Sequence, residues 1–167
     1  MRAVCRIALF FCIFVVPIRS DAESGSELRN WFNDPFFQIS NAIAGCPVPA
    51  GPFVTAAERN AQSHHRAERG TSCWLAGKCK KPNAYAYDRE IAQNFRAALR
   101  KRNPFKNSTL WVTVQGRLVF IEGCVRDEKI EHDLETFARA IPYVQQAAAF
   151  LYKDLSSSPP YRRLAPP

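Results

Sequence analysis

Apolar positions along this chain change period from block to block, and each change predicts an element. Asp34-Pro35 has the form of a helix start, with Asp at the N-cap and Pro at the first helical position. FFQISNAIA follows, with Phe36, Ile39 and Ile43 at helical spacing and Gly45 placed as a C-cap, so a short helix is predicted there. CPVPAGP (46–52) is a rigid, extended turn segment. Thr55 and Glu58 form a capping box that opens a second helix, about 55–69, stopped by Gly70. This helix has almost no large apolar residue, and its inward face is expected at Ala57, Ala61 and the neighbourhood of His64 or His65. Residues 70–85 read as a loop whose large apolar groups, Trp74 and Leu75, are expected to be tucked in.

The second half has stronger periodicity. Asp88 is placed as the N-cap of a helix over 89–101, in which Ile91, Phe95, Ala98 and Leu99 form an i, i+4, i+7, i+8 stripe. LWVTVQGRLVFIEGCV (110–125) predicts a hairpin turning at Gln115-Gly116-Arg117, with Gly116 supplying positive φ. Val112, Val114, Val119, Ile121 and Val125 share one face of it. Trp111, Phe120 and Cys124 fall on the other face, where polar residues belong in a half-wet sheet. Asp127 then caps a helix whose buried face is Ile130, Leu134, Phe137, Ala138 and Ile141, ended by Pro142. Residues 144–153 read as a last strand, and 155–167 as a disordered tail without the means to bury a core.

The N-terminus addresses the chain. Arg2 and Arg6 precede the apolar run Ile7–Ile18, and Ser20 and Ala22 are the small residues of a cleavage site, so residues 1–22 read as a secretory signal peptide. Such a run rises about 18 Å as a helix, too short to span a bilayer, and the cleaved chain is expected not to be transmembrane. Cys46, Cys73, Cys79 and Cys124 remain after cleavage. In an exported chain they read as two disulfides. Cys73 with Cys79 and Cys46 with Cys124 is one pairing, and Cys46 with Cys73 and Cys79 with Cys124 is the other considered. A zinc site using His64 and His65 competes, but five residues separate Cys73 from Cys79, against two to four in the common zinc modules. No metal and no cofactor are therefore expected.

Residues 88–154 thus order as helix, strand, strand, helix, strand. VTVQGRLVFIEGCV, the charged amphipathic helix after it and AIPYVQQAAAFLY together resemble the BON domain of exported bacterial envelope proteins. Val119, Ile121, Gly123 and Val125 take that family's central positions, and Ile141-Pro142-Tyr143-Val144 the entry to its last strand. Tyr143 stands where the family has glycine, the turn glycine falls one residue early, and the last strand is rich in alanine. The resemblance implies an α+β fold, an α-β-β-α-β sandwich with two helices on one face of a mixed three-stranded sheet. Here it would carry a disulfide-tied helical N-terminal extension, residues 33–87. It also implies a periplasmic protein without catalytic machinery, attached to phospholipid surfaces or envelope assemblies, in some members under osmotic stress.

Independently of that, the chain has no Gly-x-Ser-x-Gly, phosphate loop or His-Glu-x-x-His, and His132 sits on the outer face of a helix, so no enzyme is expected. The formal net charge of +8 points to an anionic partner, and export makes nucleic acid the least fitting one. Two functions follow as expectations. The first is binding to anionic phospholipid, with Lys78, Lys80, Lys81, Arg100, Lys101 and Arg102 as contacts. The second is a protein-interaction role in an envelope or secretion assembly, using open sheet edges. Trp111, Phe120 and Cys124 are expected to form the seam on which residues 33–80 dock, covered by the 36–43 helix or by the Trp74–Leu75 loop.

Overall fold

The computed structural model describes residues 27–127 and 129–164. The signal peptide expected at 1–22 lies outside them. The described residues form an α+β fold built on one four-stranded sheet. Its elements are β1 (Phe36–Asn41), α1 (Ala56–Leu75), a 3-10 turn (Ala84–Tyr87), α2 (Asp88–Lys101), β2 (Thr109–Gln115), β3 (Leu118–Cys124), α3 (Ile130–Arg139) and β4 (Gln146–Tyr152). The strands lie in the order β1-β2-β3-β4. The first two pairings are antiparallel, and β3 pairs with β4 in parallel through the α3 crossover.

The predicted helix at 34–45 is instead β1. Phe37 pairs with Val112 and points into the core, edge-on to Phe95, while Phe36 pairs with Thr113 and takes the other face. Phe36, Ile39 and Ile43, at helix-like spacing, do not share one face: Ile39 packs on the main core and Ile43, beyond the strand, on the Cys124–Tyr161 cluster, with a bulge between Gln38 and Ser40. Asp34 caps no helix; its carboxylate pairs with Arg66. The segment expected as a separate extension therefore supplies a strand of the one sheet.

The core lies between one sheet face and the pair α2 and α3. Ile91 and Phe95 of α2 and Leu134 and Ala138 of α3 close on Val112, Val114, Val119 and Ile121, with Phe137 edge-on to Phe95 and Phe105. The hairpin turns at Gly116 and Arg117, with φ of 59° and 68°, as a type I′ turn requires. Gly123 has φ of 146°, and a Cβ there would come within 2.1 Å of the Thr109 carbonyl oxygen, so only glycine fits this point of β3. Tyr143 takes φ of 71°, a left-handed backbone of the kind glycine adopts most easily, and its ring packs on Tyr87.

The opposite sheet face carries Phe36, Trp111, Thr113, Phe120, Glu122, Cys124 and Tyr152, and it is covered from two directions. Residues 42–54 cross it, and Gly51 passes so closely that a Cβ would lie 2.7 Å from the Phe36 ring. The C-terminal segment returns over it as well. Tyr161 is buried edge-on to Tyr152, its hydroxyl donates to the Pro47 carbonyl at 3.0 Å, and Arg163 bridges to Pro49. The expected tail thus packs through residue 164. One bridge, Cys46–Cys124, ties this layer to β3, and the other, Cys73–Cys79, closes a local loop. Of the two pairings considered from the sequence, the first is the one present.

Candidate functional site

α1 poses the main physical problem, because a helix of 20 residues buries only one of them, Gly70, fully. The capping box is formed as expected, with Thr55 Oγ1 accepting from the Glu58 amide and Glu58 Oε2 accepting from the Thr55 amide. The helix then runs through Gly70 to Leu75, and the Asn83 side chain packs where a Cβ at Gly70 would point. Ala57, Ala61, His64 and His65 are exposed. The inward stripe is Gln62, Arg66, Arg69, Gly70 and Cys73, which has helical period but polar composition.

Arg66 is the pin of that stripe. Its two terminal nitrogens donate to the two carboxylate oxygens of Asp34 at 2.9 and 2.7 Å. Its guanidinium lies 3.9 Å from the centre of the Phe32 ring and 4.1 Å from that of Tyr85. Gln115 donates to the same Asp34 carboxylate at 2.9 Å, so the network joins α1, the entry to β1 and the end of β2. Beside it, Asp88 accepts from the Gly116 and Arg117 amides at 2.6 and 2.8 Å and holds the hairpin turn. The sequence places Asp88 as the cap of α2, but Tyr87 precedes the helix without a side-chain cap, and the Asp88 carboxylate serves the turn instead. Burial pushes its pKa up to about 6, against the pull of those two amides.

Between α1 and the sheet lies a cleft of about 450 Å³, floored by Leu118 and Phe120 and walled by Arg66, Arg69, Tyr85 and Arg162. Arg162 pairs with Glu58 at 2.6 Å, and Arg69 reaches the Gly116 carbonyl at 3.4 Å. Deeper on the same face, burial pushes Glu122 up to about 7, and Arg162 pulls it down only in part. Of the seam residues, Trp111 and Cys124 are buried and Phe120 is half-buried at the floor of this cleft.

The Trp74–Leu75 pair does not cover the seam. It projects from the end of α1, with Trp74 47% and Leu75 80% exposed, contrary to the expectation that it is tucked in. α1 ends there through Ala76, whose amide donates to the Ser72 carbonyl, and the Cys73–Cys79 bridge folds the chain straight back. Lys78 and Lys80 are exposed on that returning loop. Lys81 pairs with Glu90 at 2.9 Å and lies over the Tyr87 ring. The Tyr87 hydroxyl accepts from the Lys80 and Lys81 amides and fixes the loop to the body of the protein. Arg100, Lys101 and Arg102 lie at the far end of α2, about 15 to 18 Å along the helix from Glu90 and its Lys81 partner. The structure therefore splits the expected basic contacts into two separate groups.

Sequence reasoning missed Arg66, Asp34 and Asp88 as partners. A helix with a polar inward stripe was the available signal, since such a stripe has to be matched by buried acceptors. Among the described residues, no group of three His, Cys, Asp or Glu side chains is placed to hold a metal ion, and no helix is long and apolar enough to cross a membrane. Comparison with protein-family models, with curated proteins and with solved structures finds no match to this chain.

Proposed function

We propose that the protein is a non-catalytic module of the bacterial periplasm that docks reversibly on anionic phospholipid through the tip of α1. One observation carries this reading: Trp74 and Leu75 stand exposed side by side on a disulfide-closed tip next to the exposed Lys78 and Lys80. Tryptophan suits the headgroup boundary, and leucine reaches just below it. Burying a leucine contributes about 1.5 to 3 kcal/mol, and each lysine near an anionic leaflet about 1 kcal/mol. The total of a few kcal/mol corresponds to weak, salt-dependent docking rather than anchoring. The arginines and lysine at the end of α2 form a separate basic group and add long-range attraction.

Sedimentation of the folded chain with phosphatidylglycerol vesicles and with phosphatidylcholine vesicles tests the proposal. Binding to the anionic vesicles that weakens with salt and is lost in Leu75→Asp is the expected result. Equal binding to both vesicles, or unchanged binding of Leu75→Asp, overturns it and leaves the tip to a protein partner in an envelope assembly.

A further inference from the structure

The two disulfides differ in that only one of them has a fully buried sulfur-bearing residue, Cys124. In Cys46–Cys124, Cys124 is fully buried among Tyr152, Tyr161 and Ile43, and Cys46 is half-buried against the same cluster. Cys73–Cys79 is half-exposed at the tip of α1, and a guanidinium nitrogen of Arg117 lies 2.9 Å from the Cys79 sulfur. That guanidinium is fixed in place. Its Nε donates to the Tyr143 carbonyl at 2.8 Å, and its plane lies near the Tyr87 ring. Lys78 and Lys80 flank Cys79 in the chain. Cys73, by contrast, lies in the last turn of α1, at the negative end of the helix dipole.

We propose that Cys73–Cys79 is a thiol–disulfide exchange site, with Cys79 as the leaving sulfur and Arg117 as the group that receives its negative charge, while Cys46–Cys124 is the inert structural bridge. A thiolate lies lower in free energy beside a fixed cation and higher at a helix C-terminus, so the two sulfurs of this bridge are unequal leaving groups. An incoming thiolate forms a bond to the Cys73 sulfur. The Cys73–Cys79 bond breaks, and its electron pair leaves on Cys79 as a thiolate facing Arg117. A second thiolate then attacks the mixed disulfide, giving the oxidised form of the incoming thiol and a Cys73 thiolate that takes a proton from water. Two electrons pass from two thiols to the bridge, and the partner class is therefore a thiol. The inference stands independently of the membrane-docking reading, because it needs only the bridge, its exposure and Arg117.

The experiment treats the folded full chain with reduced glutathione, quenches with acid, and maps mixed disulfides and free thiols by peptide mass spectrometry. The expected result is exchange at Cys73–Cys79 while Cys46–Cys124 stays closed, with glutathione carried on Cys73. Arg117→Gln is expected to slow the exchange by about fivefold or more, and Arg117→Lys to retain most of it. Simultaneous opening of both bridges, or glutathione carried mainly on Cys79, overturns the proposal. The position of the adduct is read on the unaltered protein, so that outcome does not depend on whether an Arg117 variant folds.

Discussion

Arg66 of α1 and Asp34 at the entry to β1 face each other through two parallel hydrogen bonds, with both side chains almost wholly withdrawn from water. They are the main attachment of a helix that has no apolar stripe. A buried pair of this kind is a weak source of net stability when intact, but removing one partner strands the other charge. Arg66→Ala is therefore expected to destabilise the protein by about 3 to 5 kcal/mol. Replacing both residues together is expected to cost clearly less than the sum of the single changes. Urea unfolding of the two single variants and the double variant reads this directly, and hydrogen exchange should show α1 opening first in Arg66→Ala.

The same pair shows where the sequence stopped being legible. The hairpin and the helices α2 and α3 could be read because their signals are local. Gly116 sits at the turn, valines alternate on either side of it, and Ile91, Phe95, Leu134 and Ala138 recur at helical period. β1 could not be read, because Asp34-Pro35 has the form of a cap and the bulge after Gln38 breaks the alternation; its strand state comes from pairing with residues 109–113, far along the chain. The face of α1 was invisible to a hydrophobic pattern because its stripe is made of Gln62, Arg66 and Arg69. Tyr161 is buried only because Cys124 and Tyr152 lie where the C-terminal segment returns, and nothing within SSSPPYRRL announces that contact.

Gly123 is the most constrained backbone position in the sheet. Its φ of 146° disfavours any side chain, and an added Cβ would meet the backbone of β2 at Thr109 and Leu110, which cannot move without breaking the β2–β3 ladder. Gly123→Ala is expected to cost about 3 kcal/mol or more, combining backbone strain with the clash. Thermal unfolding followed by circular dichroism checks it. A loss below about 1 kcal/mol would mean that the strand bends away easily.

Stability is expected to fall as pH rises from about 4.5 to about 7. Glu122 binds its proton more tightly in the folded chain, with a pKa near 7, than in the unfolded chain, where it is 4.5. The stabilisation that comes with protonation is fully present below the unfolded value and is lost through the folded one. Asp88 acts in the same direction between 3.8 and about 6. Glu58, lowered by the Thr55 amide and hydroxyl, acts in the opposite sense and only at lower pH. Urea midpoints measured at fixed ionic strength should decline across this window, and Glu122→Gln should flatten the decline. A midpoint that rises from pH 5 to 7 in the unaltered protein would contradict the assignment.

The two disulfides are expected to differ in what they contribute. Cys46–Cys124 closes a loop with a sequence separation of 78, and Cys73–Cys79 one of 6. Chain-entropy arguments give about 4.5 kcal/mol for the first and about 2.4 kcal/mol for the second. The environments widen the gap. Cys46 and Cys124 fill a packed layer with Tyr152 and Tyr161, so replacing them with serine also leaves polar groups in an apolar setting. Cys73 and Cys79 sit at a half-exposed tip whose loop is also held by the Tyr87 hydroxyl. The Cys46→Ser, Cys124→Ser double variant should therefore lose most of its folded population near physiological temperature. The Cys73→Ser, Cys79→Ser variant should keep the sheet and loosen only the end of α1. Denaturant unfolding ranks the two variants, and amide exchange along α1 shows where the second one opens; equal losses of stability would mean that the tip bridge carries the fold as much as the buried one.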